Sequence, residues 1–445
     1  MAAHPAWVRV LARLATRRGM LRTAIAAAAL VVIAVVATEL RRSDDALLDR
    51  VTDRPAPLLA VAGDREDRRL VGLDPLSLRP LPGSVHLDEP ARVGVWHPHR
   101  RLAAVVTGGA LRLLDLQHMR TLATVRVGAR GGLASSSWPR RDRIWLVFAA
   151  RAYHARGTTT VVLVDAVRWR VIARRRLAAR LVRLTHTPNG PALLLAPPSG
   201  IGPAEIATVD SQGELARLRL DVAAGAQSTD EIEHVRRPAL AVDARQQRAY
   251  VLSVYSEVIE VDLQSLRVRR HRLSAPLSLL DRVRELFDPP AEARSPLIGR
   301  ERSATWLASG LIAVAGHDSD VLRRATGALE QGSRPAGLQV VDTRRWQVRT
   351  LDQHAATVHV AAGLMLVAGM GRKGLAAYRP DGHRAFHLLE NERVEIVTSA
   401  GSLAYVRTKS ARGIHVVDVR RGTVIATATE GSARLLPAAS DIEPD

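Results

Sequence analysis

Short runs of alternating apolar and polar residues recur through most of the chain. One of them, VIEVD at Val258 to Asp262, is followed by a brief polar stretch and then by an arginine-rich run, Val268 to Leu273. Alternation with a period of two predicts β-strands, and an Asp that accepts hydrogen bonds from its own turn predicts a tight connection between them. The pattern therefore predicts a chain that is all-β and built from hairpins.

This hairpin occurs eight times. The turn residues are Asp74, Asp115, Asp165, Asp210, Asp262, Asp342, Asp381 and Asp418, most of them 37 to 52 residues apart, with one gap of 80. A second hairpin precedes each copy, as in ALAVDARQQRAYVLSV at Ala239 to Val254. Four strands in a unit of about 45 residues is the period of a β-propeller blade. We therefore expect one closed β-propeller of eight four-stranded blades over residues 57–438, with seven blades as the fallback.

The first copy supports closure of the ring. It offers only three strands, PLLAVAG, RRLVGLD and a piece that ends at Leu81, whereas ARLLPA at Ala433 to Ala438 is left over after the last copy. We expect this C-terminal stretch to supply the missing innermost strand of the first blade.

Two stretches carry a family resemblance: AVDARQQRAYVLSVYSEVIEVDLQSLRV and LAYVRTKSARGIHVVDVRRGTVIATA. They resemble the YVTN-type propeller repeats of the wider WD40-like and quinoprotein-like superfamily. The resemblance covers about Pro57 to Ala438 and implies the propeller fold. It implies little about function, because such propellers host unrelated activities.

The strand after each turn Asp is expected to be the outermost strand of its blade. Unpaired backbone groups at such an edge invite aggregation, and charged side chains oppose it. We assign this role to Arg267, Arg269, Arg270 and Arg272 in one copy and to Arg170, Arg174, Arg175 and Arg176 in another. A polyanion-binding stripe is the alternative.

The N-terminus carries an apolar run, TAIAAAALVVIAVVAT at Thr23 to Thr38, behind five arginines. With its margins, residues 23–40 are long enough to span a bilayer as a helix, and the preceding charges place the N-terminus in the cytoplasm. We expect a signal anchor at 23–40 after a basic cytoplasmic segment (1–22). A linker (41–56), the extracytoplasmic propeller and an acidic tail (439–445) follow. Signal cleavage near Ala37, which would give a secreted protein, is the alternative.

Composition changes this interpretation little. The net charge is +20, but Lys373 and Lys409 are the only lysines, and the arginines are spread evenly along the chain. Aromatic residues make up only 3% of the chain, too few for the stacking platforms of single-strand nucleic-acid binders. Nucleic-acid binding is therefore disfavoured. The chain has no cysteine, which excludes disulfides, zinc–thiolate sites and lipoprotein anchoring.

Motifs that bear chemistry are weak. His97 to His99 (HPH) is more typical of a solvated turn than of a metal pair, and GHDSD at Gly316 to Asp320 is the one local cluster of possible ligands. Trp169 and Trp346 occupy a slot that Leu78, Met119 and Leu266 fill in other copies, which indicates packing and not a cofactor platform. We assign no catalytic residue, no metal ligand and no cofactor.

The longest connections fall in two classes that share one face of a meander. They are Ala150 to Thr158, Pro197 to Ala204 and Asp318 to Pro335 between second and third strands, and Asp221 to Arg237 and Ser274 to Ser303 between blades. Helical insertions are predicted at about 274–303 and 318–335 from the spacing of apolar residues. The candidate partner-binding residues are Leu280, Val283, Phe287, His317, Asp318, Asp320 and Leu322.

Two functions from different classes remain. The favoured one is a membrane-anchored extracytoplasmic binding or scaffold module for a protein or a cell-envelope component. The alternative is an exported enzyme, lactonase-like or quinoprotein-like, that uses the mouth of the central channel, where a small molecule could also bind.

Overall fold

The computed structural model of this 445-residue chain describes residues 58–63, 67–87, 92–97, 102–129, 131–140, 142–150, 157–229, 232–253, 257–273, 297–307, 310–323, 329–368, 373–408, 413–429 and 434–435. Within these ranges no residue is α-helical. The chain divides between Pro55 and Ala56, and every described residue belongs to the second unit. The predicted all-β class is confirmed.

Six four-stranded antiparallel sheets are separate from one another. Each is one blade of a propeller. In order along the chain, the first three comprise β1 (Leu58–Ala62), β2 (Arg69–Leu73), β3 (Pro80–His86) and β34 (Arg434–Leu435); β4 (Arg92–His97), β5 (Leu102–Thr107), β6 (Ala110–Asp115) and β7 (Arg120–Arg126); and β8 (Gly132–Arg140), β9 (Arg143–Ala149), β10 (Thr159–Asp165) and β11 (Arg170–Leu177). The others comprise β17 (Ala239–Asp243), β18 (Arg248–Leu252), β19 (Glu257–Asp262) and β20 (Val268–Arg272); β26 (Thr357–Ala361), β27 (Leu364–Ala368), β28 (Leu375–Tyr378) and β29 (Arg384–Leu388); and β30 (Val394–Ala400), β31 (Leu403–Thr408), β32 (Gly413–Asp418) and β33 (Thr423–Thr429).

The remaining strands form one sheet of ten. They are β12 (Arg180–Thr187), β13 (Gly190–Ala196), β14 (Gly200–Val209), β15 (Leu215–Thr229), β16 (Ile232–Arg237), β21 (Leu297–Trp306), β22 (Leu311–Arg323), β23 (Leu329–Pro335), β24 (Leu338–Asp342) and β25 (Gln347–Asp352). Two four-stranded stretches, β12 to β15 and β21–β22–β24–β25, are joined because β16 pairs antiparallel with β15 and parallel with β21. The strand β23 pairs with the far end of β22.

The expected blade count is corrected by this arrangement. All eight turn Asp residues stand at a tight connection between consecutive strands, but only six four-stranded blades are separate sheets, not eight and not seven. The hairpins of Asp210 and Asp342 belong to the ten-stranded sheet. The physical reason is that β15 continues beyond its blade and leads into β16, whose free edge finds a partner in β21.

The predicted closure of the ring is confirmed. The short strand β34 pairs with β1 through Ala60↔Leu435 and Val61↔Arg434, so the first sheet takes its innermost strand from the end of the chain. Leu435 is buried with Leu58 and Tyr405, and the Tyr405 hydroxyl donates a hydrogen bond of 3.0 Å to the carbonyl of Pro75. The last sheet is therefore packed against the first.

The hydrophobic core lies between neighbouring sheets. Leu59 and Leu70 of the first sheet pack against Ala103, Val105 and Leu114 of the second, and the same arrangement repeats around the ring. Alternation along each strand sends apolar side chains to both faces of a sheet, and both faces are covered by a neighbour. This double burial explains why the middle strands are apolar almost throughout, as in β13.

The turns behave as the sequence predicts. The Asp262 carboxylate accepts backbone hydrogen bonds from Gln264 at 3.1 Å and Ser265 at 2.7 Å, and the hydrogen bond from Ser265 lowers the pKa of Asp262. The strands β20 and β11, which follow two of these turns, are the last of their sheets. Their arginines are largely exposed at a sheet edge, which agrees with the predicted solvated edge.

The predicted helical insertion at about 318–335 is wrong. Its described residues form the end of β22 and the strand β23, paired from His317↔Pro335 to Arg323↔Leu329. The predicted helix within 274–303 lies outside the described residues up to Pro296, and from Leu297 the chain is the strand β21. The segments 1–22, 23–40, 41–56 and 439–445 also lie outside. No helix among the described residues has the length and apolar character needed to cross a membrane.

Candidate binding surface

The long connections of the chain build an additional sheet at one end of the blades. It consists of residues 200–203 of β14, 223–229 of β15, β16, 297–302 of β21, 317–323 of β22, and β23. We call this part of the ten-stranded sheet the bridging sheet. Successive turns of a meander alternate between its two ends, so the β13–β14, β15–β16 and β22–β24 connections all leave from the same face.

The sequence places these segments on one face but does not show that they pair. The structure brings together parts of four of the five long connections: those at 197–204, 221–237, 274–303 and 318–335. Irregular register between Pro203 and Glu205 marks where β14 leaves its blade. A second irregularity, between Leu297 and Gly299 of β21, lies within the bridging sheet. The opposite face carries the Asp turns.

A group of charged side chains lies in the bridging sheet around Glu301. An Arg237 guanidinium nitrogen donates to Glu301 Oε2 at 2.7 Å, and His317 Nε2 lies 3.5 Å from Glu301 Oε1. These three residues are neighbours in the ladder, through Arg237↔Glu301 and Glu301↔His317. Burial alone would raise the pKa of Glu301, but the hydrogen bond from His317 and the charge of Arg237 outweigh it and hold the pKa at about 2.

Arg302 connects this group to the neighbouring strand. Its Nη1 donates to Asp318 Oδ1 at 2.8 Å and to the carbonyl oxygens of Glu301 and His317 at 2.9 and 3.1 Å. The side chains of Arg302 and Asp318 are each only 17% exposed. A charge-assisted contact at this depth holds its two side chains in place more strongly than a surface ion pair, because removal of one partner leaves the other charge buried and uncompensated.

Arg183 reaches the same group from a different part of the ring. It lies in β12, 8% exposed, and its Nε donates to the carbonyl of Arg302 at 3.0 Å. The two residues are 119 positions apart. This hydrogen bond therefore links the two blade-like stretches of the ten-stranded sheet.

The predicted partner-binding residues divide into two sets. His317 and Asp318 take part in the charged group, and Asp320 and Leu322 lie further along β22, opposite Gly332 and Glu330 of β23. Leu280, Val283 and Phe287 lie outside the described residues. The four residues of β22 thus lie on one strand, and their role in partner binding stays a prediction.

Sequence reasoning missed Arg183, Arg237, Glu301 and Arg302. Arginine is so frequent in this chain that no single one stands out. The sequence signal that could have identified them is a cluster of charges inside a strand. GRERS at Gly299 to Ser303 places three charged residues in a segment that continues into the apolar ATWL. Charged residues at such positions are rare in a buried strand unless they are paired.

One Ser–His contact lies between neighbouring blades. Ser135 Oγ of β8 is 2.7 Å from His186 Nε2 of β12, and burial lowers the pKa of His186 to about 4, so the ring is neutral at pH 7. Within the described part of the chain His186 Nδ1 has no hydrogen-bond partner. Serine hydrolases orient the histidine with a carboxylate at that nitrogen. This contact therefore lacks one of the three groups of a triad among the described residues.

Two further observations concern ligands. No three His, Cys, Asp or Glu residues in the described ranges are grouped so that they could hold a metal ion. A pocket of about 320 Å³ opens among the Asp turns of the opposite face, and Asn189 Nδ2 donates to Gln247 Oε1 at 3.1 Å across its rim. Its other polar lining residues include Thr208, Glu214 and Gln264.

Comparison with solved structures identifies the fold. The chain is 13% identical to dihydro-heme d1 dehydrogenase NirN in complex with DHE, with a TM-score of 0.50 over 84% of this chain and 74% of that one. The chain has the β-propeller fold. AztD from Citrobacter koseri (11% identity, TM-score 0.48, 86% and 96% coverage) and BamB from Moraxella catarrhalis (12%, 0.43, 78% and 92%) are also similar.

These likenesses concern the fold alone. No protein-family model matches the sequence, and no curated protein matches it. The propeller that the YVTN-type resemblance implies is confirmed as a fold, and the comparisons assign the chain to no particular family of propellers.

Proposed function

We propose that this chain is a non-catalytic binding module that holds a protein or cell-envelope partner on its bridging sheet. The observation that carries the proposal is the assembly of four long connections into one sheet on one face. Long connections on a rigid scaffold are where binding usually resides. The opposite face consists of tight Asp turns, which leave little adaptable surface.

The bridging sheet is rigid enough to serve as a recognition surface. Strand pairing continues to Thr229↔Ile232 at the tip of one hairpin and to Arg323↔Leu329 in the other. Ion pairs between Arg237 and Glu301 and between Arg302 and Asp318 join neighbouring strands within it, and Arg183 of β12 donates to the carbonyl of Arg302. A partner would therefore meet a preformed surface, which reduces the ordering cost of association.

Site-specific photo-crosslinking tests the surface directly. A photoreactive amino acid at Gln227, an exposed position of β15 in the bridging sheet, should crosslink a discrete partner in the native membrane. The same amino acid at Val167, 71% exposed in an Asp turn of the opposite face, is the matched control and should not. Crosslinking from Val167 and not from Gln227 would place the partner on the wrong face for this proposal.

A shortened hairpin tests whether the sheet is required. Ser319 and Ser333 are directly paired, so residues 320–332 can be replaced by Asn-Gly, a favoured two-residue turn, without loss of His317 or Asp318. We expect the variant to keep the thermal unfolding midpoint of the wild type within a few degrees. We expect it to lose the Gln227 crosslink. A folded variant that retains the crosslink would show that this hairpin is not part of the binding surface.

The alternative of an exported enzyme rests on the contact between Ser135 and His186. An active serine nucleophile would react with a fluorophosphonate probe, and the Ser135→Ala variant would not. We expect no labelling of the wild type, because the pKa of His186 of about 4 and the missing carboxylate give a weak general base. Labelling that depends on Ser135 would favour the enzyme over the binding module.

A further inference from the structure

A pocket lies between two neighbouring units of the ring, on the face of the Asp turns. One wall belongs to the stretch β12 to β15, and the other belongs to the sheet β17 to β20, which contributes Gln247, Leu263 and Gln264. Its volume of about 320 Å³ falls within the range of roughly 300–1,000 Å³ that small-molecule sites occupy. We call it the Thr208 pocket, after a residue on its first wall.

A row of small side chains creates this space. Ala192, Thr208 and Ala216 are successive register partners in β13, β14 and β15, so their side chains leave the same face of the sheet. Thr208 stands two positions before the Asp of its turn. At the same place in the two adjacent sheets, the second strand carries Trp145 and Tyr250. Ala192 thus stands where both neighbours have an aromatic ring, and the volume of that ring is left open.

Both walls of the pocket are held in place by contacts of their own. The next rung of the ladder, with Leu194 and Ile206, belongs to the core between the two units. On the other wall, the backbone N–H of Leu263 donates to the carbonyl of Gln247 at 2.8 Å and ties two turns together. Asn189 Nδ2 donates to Gln247 Oε1 at 3.1 Å across the rim. The pocket is therefore preformed, which reduces the ordering cost of binding a ligand.

Neutral amides and hydroxyls supply most of the polar groups of the pocket. Asn189, Gln247 and Gln264 contribute amides, which both donate and accept hydrogen bonds, and Thr208 contributes a hydroxyl. Within the described part of the chain, neither the Thr208 hydroxyl nor the Gln264 amide has a hydrogen-bond partner. Both groups are thus available to a ligand.

The charges at the pocket favour neither an anion nor a cation. The described residues that line it include no arginine, lysine or histidine but do include Asp210 and Glu214, whose carboxylates oppose an anion. Both carboxylates already have partners. Asp210 Oδ1 accepts the backbone N–H groups of Gln212 and Glu214 at 2.9 and 2.8 Å, and Glu214 Oε1 accepts from Arg175 at 3.1 Å. A cation would compete with these contacts, so a neutral ligand fits best.

We infer that the Thr208 pocket binds one neutral sugar ring. Each hydroxyl of a sugar donates one hydrogen bond and accepts two, which matches the amides and the hydroxyl of the pocket. The C–H groups on the faces of the ring suit the apolar side chains of Ala192, Ala216 and Leu263. The ring belongs to a free monosaccharide or to one unit of an envelope glycan. This site lies on the face opposite the bridging sheet and adds a function to the one proposed above.

Calorimetric titration with glucose and with N-acetylglucosamine tests the site. The purified full-length protein should bind at least one of these sugars with a Kd of about 1 mM, because a single small ring makes few contacts. The methyl glycoside of that sugar separates the two sources: equal binding indicates a unit of a glycan, and weaker binding indicates the free monosaccharide. Phosphate and ethanolamine are the charged probes. Binding of a charged probe in place of both sugars would overturn the inference, as would a protein that binds neither sugar.

Thr208→Leu fills the pocket and tests its position. The substitution introduces the residue type of Leu163, the counterpart of Thr208 in the preceding sheet. We expect sugar binding at least tenfold weaker than in the wild type and an unfolding midpoint that is no lower, because the added methyl groups enter open space. Thr124→Leu, at an exposed position of β7, is the matched control and should bind the sugar as the wild type does. Unchanged sugar affinity in a folded Thr208→Leu variant would refute the assignment.

Asn189→Ala provides a second measurement that leaves the packing of the strands intact. Asn189 is exposed in the turn between β12 and β13. Loss of its amide should weaken sugar binding several-fold without a change of the unfolding midpoint, and unchanged affinity would count against the inference. Failure of this inference would leave the proposed function untouched, since crosslinking from Gln227 reports on the opposite face.

Discussion

At the scale of single residues, the position four residues after most of the turn Asp residues has a left-handed backbone conformation that closes the turn. The residues four positions after the turn Asp, such as Leu78, Met119 and Trp346, have φ of 57°, 44° and 55°. Trp346 N donates to the carbonyl of Asp342 at 2.7 Å, which closes the turn. A non-glycine residue in this conformation costs about 1–2 kcal/mol. Burial offsets that cost, because Leu78 and Met119 are 7% and 3% exposed.

Glu301 supplies a prediction about acid stability. Its pKa of about 2 in the folded chain is below the ordinary value of 4.5, so its contribution is complete above pH 4.5 and is lost as the pH falls toward 2. Glu301→Gln should lower the free energy of unfolding by about 3 kcal/mol at pH 7, because it leaves Arg237 without its carboxylate. Urea unfolding at pH 7, 4 and 2.5 should show the difference from wild type shrinking as the pH falls.

An exposed ion pair provides the control for that measurement. Glu395 lies 3.6 Å from Arg407 and is 56% exposed, so Glu395→Gln should change the unfolding free energy by less than about 1 kcal/mol. Equal losses in the two variants at pH 7, or a Glu301→Gln loss that does not depend on pH, would contradict the assigned role of the Glu301 contacts.

The sequence predicts part of this residue-scale picture. The Asp of each turn was identifiable because its carboxylate accepts hydrogen bonds within four residues, a local interaction. The left-handed conformation was not, because Leu, Met and Trp give no sign of positive φ. The contacts of Glu301 and Arg183 were also hidden, since their partners come from strands far away in sequence.

At the scale of elements, the segment from Ser319 to Gly332 shows how a helical pattern is overridden. Val321, Leu322, Ala325 and Leu329 have helical spacing, yet 321–323 and 329 are in strands. The end of β22 continues a strand that pairs with β21 as far as Asp320 and with β23 as far as Arg323. Ladder pairing with a preformed strand outweighs the weak intrinsic preference of a short segment for a helix.

The closing strand β34 was predictable from the number of strands in the repeats. The first copy has only three strands, and the stretch Ala433 to Ala438 is left over after the last copy. A chain that ends before Ala433 should unfold at least about 5 °C lower than wild type, since the edge of β1 and the buried side chains around Leu435 become exposed. Differential scanning calorimetry measures the midpoint.

A chain that ends after Ala438 retains β34 and serves as the control for this truncation. Its midpoint should equal that of the full chain. The single substitution Leu435→Ala, at a side chain only 2% exposed, should lower the unfolding free energy by about 2–4 kcal/mol. An unchanged midpoint in the shorter chain would mean that β34 does not hold the ring closed.

At the scale of the whole molecule, repeat spacing predicted the propeller but not the joining of its sheets. Each hairpin is a local unit that the sequence reveals by its period. The pairing of β16 with β21 involves strands about sixty residues apart and leaves no periodic signal, so the ten-stranded sheet appears only in three dimensions. The gap of 80 residues between Asp262 and Asp342 was the one visible sign of an irregular unit.

The placement of the whole molecule relative to a membrane remains a prediction from sequence. The five arginines before Thr23 and the apolar run behind them predict an N-terminus in the cytoplasm and a propeller on the other side of the bilayer. Alkaline phosphatase fused at the C-terminus should therefore be active, and a fluorescent protein that folds only in the cytoplasm should stay dark. The reverse result would refute the predicted orientation.

Fractionation then separates the anchor from a cleaved signal. An uncleaved anchor at 23–40 keeps the fusion in the membrane after carbonate extraction, whereas cleavage near Ala37 releases a shorter soluble product. We expect the membrane form, and replacement of the five arginines by glutamate should reduce correctly oriented product several-fold.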